Sequence, residues 1–197
     1  MTALEEAREE LCRLDAAAGD GDHGVTMALA ARKVRASLAE AGEASPPEML
    51  SRMAVAAGSV GGASGPLYAS ALLAAAATLR QAGGEQVTVA LVTRCAESAE
   101  KAILDLGHAR PGDKTIIDAL DPAVAALRGT SATDLGDALW QAAAAARQGA
   151  ESTAQMIARV GRARALGERS LGFADPGASS LALIFEASAS AFRGRPR

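Results

Sequence analysis

Apolar residues recur at helical spacing along almost the whole chain, and no stretch alternates with the period of two that a half-buried strand requires. Residues 3–18 read as a helix stopped by Gly19 and Gly21, and a second helix runs from about Val25 to Ala41. Ser45-Pro46-Pro47-Glu48 has the form of a capping box with proline at the first helical position, opening a third helix to about Gly58. Pro66 opens a fourth, reaching Gln81. A fifth covers Val87 to Leu106, and a sixth covers Lys114 to Arg128 with Pro122 as a kink or break. The seventh starts near Thr133-Asp134 and passes Trp140 toward Ile157. Asp175-Pro176, a cap followed by proline, starts an eighth that ends about Phe192. Helices joined mostly by short turns, with no low-complexity linker, predict one all-α domain over residues 1–197, an up-and-down bundle.

The junctions between these helices are of two kinds. Those after the first, third, fifth and seventh are polar and glycine-rich: Gly19–Gly24, Ser59–Pro66, Gly107–Thr115 and Gly161–Gly177. The others, at 42–47, 83–86 and 129–133, are plain. Alternate loops of an up-and-down bundle lie at the same end, so the four rich loops converge on one rim. That convergence predicts a single active site.

Composition narrows the picture. Hydrophobic residues make up 49% of the chain but aromatics only 3%, so the core is built from Ala, Leu, Val and Ile, which suits helices packed at close range. The chain is long enough to bury such a core without disulfide or metal staples. A net charge of −3, with no basic block and no aromatic interleaving, argues against nucleic acid as a partner. Cys12 and Cys95 have no CxxC partner and read as two buried thiols in a reducing compartment. The acidic N-terminus Met1-Thr2-Ala3-Leu4-Glu5-Glu6 is no secretory signal, and the uncharged run Met53–Leu79 is too punctuated by Gly and Pro to span a membrane. A soluble, cytoplasmic protein is expected.

The chemistry concentrates in residues 14–26. Asp15, Asp20 and Asp22 fall close together, with no Lys or Arg between Arg13 and Arg32. Neighbouring carboxylates repel unless a cation sits among them, and clustered hard oxygens suit Mg²⁺ or Ca²⁺ rather than Zn²⁺. Asp15 and Asp20 are about 140° apart round an ideal helix, so one unbroken helix cannot aim them together. The glycines break it and let the loop fold back. Gly19-Asp20-Gly21-Asp22-His23-Gly24 matches GxGxxG literally, but a helix precedes it where a dinucleotide fold needs a strand. An EF-hand fails because Val25 and Ala31 occupy its glycine and final-ligand positions. Gly107–Thr115 misses the P-loop pattern because Asp113 separates Gly112 from Lys114. Ser59–Pro66 leads bare N–H groups and a hydroxyl into a helix start, an anion site. Arg162, Arg164 and Arg169 are candidate cations for phosphate. His23 stands where it orients a carboxylate or contacts phosphate, His108 reads as a loop residue, and Tyr68 and Trp140 as core or rim packing. Together these features imply Mg²⁺ bridging to a polyphosphate. The opposing reading, turn and capping aspartates in the solvated loop of a structural bundle, stays open on residue types alone.

Leu14-Asp15, Gly19–Gly24, Gly61–Tyr68, Pro111–Thr115, Gly161–Ser170 and Asp175–Ser180, in this order, strongly resemble the nucleotide-binding (L) subunit family of dihydroxyacetone kinases. The resemblance covers about residues 14–185 and implies an eight-helix antiparallel barrel with nucleotide at one rim. It implies that Asp15, Asp20 and Asp22 hold two Mg²⁺ ions bridging the phosphates of ADP or ATP. His23, Gly24, Val25 and Thr26 would lie along the nucleotide, and Ala63 and Ser64 would donate to phosphate. Gly107 and Ile116 would flank adenine, Arg162 would approach the nucleotide, and Asp175, Pro176 and Gly177 would close the site. The implied function is to carry the phosphoryl donor for dihydroxyacetone or a related ketose. The implied partners are a ketose-binding (DhaK-type) subunit, a phosphotransfer-system (DhaM-type) protein where that system recharges the ADP, and a second copy as a homodimer. Free ATP is the other donor mode, and a non-catalytic Mg-nucleotide sensor is the alternative function. Two departures stand out: a first helix shorter than the family's, implying a late start or a trimmed end, and Phe173 where a polar residue is common.

Overall fold

A computed structural model describes residues 2–84 and 86–193, and among these the regular structure is helical. The elements are α1 (Thr2–Glu6), α2 (Arg8–Ala16), α3 (His23–Ala39), α4 (Pro46–Gly58), α5 (Ser64–Gln81), α6 (Val89–Gly107), α7 (Ile117–Gly129), α8 (Leu135–Ser152) and α9 (Pro176–Arg193). Two 3-10 segments, Thr153–Gln155 and Arg162–Ser170, lie between α8 and α9. Each helix from α2 onward packs on the next, and α9 returns to α1 and α2, closing the ring.

Local physics accounts for where the boundaries differ from the sequence pattern. The helix expected over 3–18 bends at Ala7, bridged by Ala7 N donating to Ala3 O and Leu11 N to Ala7 O, and ends at Ala16. α3 begins at His23 rather than Val25, and α5 at Ser64 rather than Pro66. The capping box does not form: Ser45 is extended and its side chain caps nothing. The box needs the cap hydroxyl on Glu48 N, but Ser45 contributes only its carbonyl, to Met49 N at 2.8 Å. α6 starts at Val89 because the Thr88 side chain accepts from Leu91 N, and α7 starts at Ile117, after the loop containing Lys114. α8 gives way at Ser152 to a 3-10 turn instead of continuing to Ile157. Cys12 and Cys95 are half-buried rather than buried: neither belongs to a core cluster, and Cys95 Sγ lies 3.8 Å from Ala75 O across the α5–α6 seam.

Pro122 sits inside α7 without breaking it. Its ring removes the N–H that Asp118 O would have received, and α8 approaches there through Gly149. A Cβ on Gly149 would overlap Asp118 O and stand 2.8 Å from Pro122 Cγ. The neighbouring face of α8 is the buried ladder Ala138, Ala142, Ala146 and Ala150, which meets Ile117, Leu120 and Val124 of α7. Small side chains bring helices close but fill little volume: an apolar cavity of about 500 Å³ remains inside the ring, bordered by Met27, Val34, Tyr68 and Ile103. No helix among the described residues is long and apolar enough to cross a membrane.

The α7–α8 approach gives a first test. Gly149→Ala gains about 1 kcal/mol of helix propensity but must push backbone aside, so a net loss of ~1–3 kcal/mol is expected in urea unfolding. The α6–α7 seam gives a second. Burial pushes the Glu100 carboxyl up to about 7, reinforced by Asp121 and opposed by Arg128. A carboxyl raised in the folded state stabilises fully below its unfolded value and loses that contribution as pH rises through its folded one. Melting curves of Glu100→Gln and the parent should therefore diverge in the variant's favour between pH 5 and pH 8.

Candidate functional site

The end of α2 and the start of α3 build the acidic cluster. Asp15 lies in the last turn of α2, Asp20 in the connecting loop, and Asp22 immediately before α3. One carboxylate oxygen of each lies within 4.8 Å of the others. Glycine makes this possible twice over. A Cβ on Gly19 would overlap Asp15 Oδ1, and one on Gly24 would overlap Arg8 O and hold α3 away from α2. Asp22 occupies the N-cap position but makes no side-chain cap hydrogen bond, so its carboxylate is not spent on its own helix. That observation weakens the reading of these residues as capping aspartates. Asp15 Oδ2 accepts from His23 N at 3.1 Å. Some desolvation raises the Asp20 carboxyl, but its own backbone N–H, Arg162 and Asp22 outweigh this and hold it below the ordinary range. The donor set is three hard oxygens in one small volume, which fits Mg²⁺ or another hard divalent cation.

The other three rich loops meet at this rim. Arg162 reaches from the α8–α9 connection to pair with Asp20. Gly62, in the α4–α5 loop, lies beside the same guanidinium: a Cβ there would stand 3.8 Å from Nη2. Ala63 and Ser64 open α5 without a side-chain cap, leaving N–H groups at the positive end of the helix dipole. Ser59 is not part of that anion site: it donates to Ala56 O and receives Lys33 Nζ at 2.9 Å. In the α6–α7 loop, buried Ile116 lies beside Gly177 on α9, and Gly107 packs toward Leu67. Asp175 caps α9 by accepting from Ala178 N at 2.8 Å, and burial pushes its carboxyl up to about 6 against the pull of that N–H and of Lys114. Pro176 is the first residue of α9.

Some expected residues do other work. The His23 ring is buried and faces α9, with Nε2 3.0 Å from Ser180 Oγ; burial lowers its pKa against the pull of Asp15 and Asp22. Only its backbone N–H faces the aspartates. Val25 is exposed and Thr26 half-buried in the first turn of α3, while Arg164 and Arg169 are exposed along the second 3-10 segment. His108 is an exposed left-handed C-cap of α6. Tyr68 packs into the core as expected and meets Ser180 Oγ at 3.3 Å, whereas Trp140 is exposed.

Sequence patterns did not reveal the buried polar framework behind the rim. Asp118 accepts from Gly112 N at 2.5 Å and Thr115 N at 2.7 Å, tying the α6–α7 loop onto α7. Thr153 Oγ1 accepts from Asp175 N at 2.7 Å, and Lys114 is buried beneath both loops. An acidic residue three positions beyond a turn is a detectable signal for Asp118. Nothing comparable marks Thr153.

The DAK2 domain family matches residues 17–190. The chain belongs to that family. Among DAK2 relatives, L-erythrulose 1-kinase of Mycolicibacterium smegmatis is 40% identical over 90% of this chain and 31% of its own length. An ADP-binding subunit, DhaL, of a PEP-dependent dihydroxyacetone kinase of Listeria innocua is 36% identical, over 93% of this chain and 87% of that subunit. The chain spans about a third of the first curated relatives it matches. The dihydroxyacetone kinase of C. freundii in complex with AMP-PNP and Mg²⁺ superposes with a TM-score of 0.75 at 30% identity, over 96% of this chain and 32% of that one. The helical ring is thus the DAK2 fold.

Gly19→Ala tests whether the aspartates act as one cation site. Displacing Asp15 Oδ1 should weaken Mg²⁺ binding by roughly 10–100-fold in calorimetric titration. The melting temperature should hold, because Gly19 is exposed.

Proposed function

We propose that this chain is the ADP/ATP-binding module of a kinase for dihydroxyacetone or a related short ketose, and that residues 1–197 act as one nucleotide-binding domain. It would work in the cytoplasm with a separate ketose-binding subunit. The observation that carries the reading is the gathering of Asp15, Asp20 and Asp22 beside the uncapped start of α5 and Arg162. The names of the relatives support it: ADP-binding subunits of dihydroxyacetone kinases, erythrulose kinases, and a kinase solved with AMP-PNP and Mg²⁺.

In this reading Asp15, Asp20 and Asp22 hold two Mg²⁺ ions, which neutralise charge on the transferring phosphoryl group when bound. The N–H groups of Ala63 and Ser64 donate to phosphate oxygens, and Arg162 exchanges its pairing with Asp20 for a phosphate contact. Gly107 and Ile116 border the base, His23, Gly24, Val25 and Thr26 run along the nucleotide, and Asp175, Pro176 and Gly177 close it. Positioning and charge stabilisation supply most of the catalysis in phosphoryl transfer, so a rigid rim is what this domain contributes. The donor is renewed either by a phosphotransfer-system protein acting on retained ADP or by exchange with free ATP. Relatives named PEP-dependent favour the first mode.

Calorimetry should show ADP binding that requires Mg²⁺, and Asp20→Asn should weaken it by at least ~100-fold with an unchanged melting temperature, since Asp20 is exposed. ADP retained through extensive dialysis would count against free exchange. Binding without phosphoryl transfer, when a ketose-binding subunit and ketose are added, would make the domain a nucleotide sensor. No Mg²⁺-dependent binding at all would leave it a structural bundle.

A further inference from the structure

Lys114 is the least expected residue of the interior. It is 3% exposed, and its backbone adopts φ 62°, a left-handed conformation that favours glycine or asparagine. Its Nζ donates to Thr153 O at 2.7 Å and to Phe173 O at 2.6 Å, both neutral backbone carbonyls. Burying an ammonium on neutral partners is unfavourable for stability, and an apolar side chain of similar volume would serve a core better. Burial accordingly lowers the Lys114 pKa, with Asp175 pulling the other way.

The two acceptors explain the choice. Thr153 and Phe173 stand at opposite ends of the 154–172 segment, which carries Arg162 to Asp20. One ammonium thus grips both ends of that segment. Gly172 N donating to Ala154 O at 2.8 Å closes the same base, and Arg159 N donating to Asp113 O at 3.1 Å ties the segment to the loop that holds Lys114. Thr153 then passes the constraint on: its hydroxyl accepts from Asp175 N, at the cap of α9. Thr153 also follows the last turn of α8, where carbonyls carry the negative end of the helix dipole and favour a cation. A directional donor with several N–H groups can do this, and an apolar side chain cannot.

We propose that Lys114 is a positioning residue that clamps the base of the 154–172 segment and thereby presents Arg162 to the acidic cluster and its nucleotide. The nucleotide part rests on the proposed function; the clamp does not.

The test compares Lys114→Met, which keeps volume but loses the donors, with Lys114→Arg, which keeps charge and donors. Hydrogen exchange without nucleotide should quicken by about tenfold across 154–172 in the Met variant, while amides of α8 keep the parent's protection. Mg-ADP affinity should fall by about tenfold, and the Arg variant should recover both. If the Met variant does not fold, Lys114→Gln, with one remaining donor pair, is measured in the same way. Unchanged exchange in 154–172, or a uniform rise over all helices, overturns the clamp. Quickened local exchange with parental Mg-ADP affinity overturns the positioning role. If the parent itself binds no Mg-ADP while 154–172 loosens in the variant, the nucleotide reading fails and the clamp stands.

Discussion

Mutual repulsion among three carboxylates is the constraint around which the rim is organised. Each must stay within 4.8 Å of the others, although isolated charges of one sign would separate. The chain meets this with backbone geometry more than with counter-charge. Asp15 is fixed in the last turn of α2, and His23 N–H donates to it from the first turn of α3. Gly24 lets those two helices meet backbone to backbone, and Gly19 leaves Asp15 the space its carboxylate occupies. Arg162 is the one ion-paired cation on the cluster among the described residues. Because Asp20 and Asp22 stand in water, solvent screens much of the repulsion.

The same division between precise rim and permissive wall runs through the molecule. Buried apolar positions are dominated by alanine, and the α7–α8 seam closes over Gly149 and an alanine ladder. The buried polar residues, by contrast, gather at or just below the rim: His23, Lys114, Asp118, Thr153, Ser170, Ser179 and Ser180. Each has a hydrogen-bond partner, for example Ser170 Oγ between Ala158 N and Gly167 O, or Ser179 Oγ on Asp175 O. A fully satisfied buried polar network rigidifies what it holds. It holds the loops here, so connections that would be mobile elsewhere become a fixed surface.

Helix identity and loop convergence were legible because both depend on periodicity and alternation, which are local properties. The aspartate cluster was legible for the same reason: its three members lie close in sequence and glycine marks the break between them. The capping box at Ser45 failed because the motif counts residue types and not side-chain direction: Glu48 has the N–H the box needs, and the Ser45 hydroxyl does not bond it. The continuity of α7 through Pro122 was ambiguous until Gly149, far away in sequence, supplied the surface that accommodates it. Lys114 was visible as a helix start, as part of a failed P-loop pattern and within one of the family-like segments, but not as a buried residue. Its burial depends on Thr153 and Phe173, and no local spacing encodes that meeting. The His23 ring likewise turns toward Ser180, a partner on the last helix.

The exposure of the cluster also says something about how the proposed reaction must be divided. Phosphoryl transfer competes with hydrolysis, so the reacting groups need a cavity from which water is excluded. Here Asp20 and Asp22 are exposed, as are Val25 beside them and Leu171 and Phe173 in the α8–α9 connection. Rigid placement of Mg-nucleotide is compatible with that openness, but transfer to a ketose in preference to water is not. In the proposed function the cover therefore comes from the ketose-bearing subunit, and bringing acceptor and shield together makes chemistry conditional on docking. The network behind the rim fits this arrangement, because a surface completed by another molecule gains most from being formed before that molecule arrives.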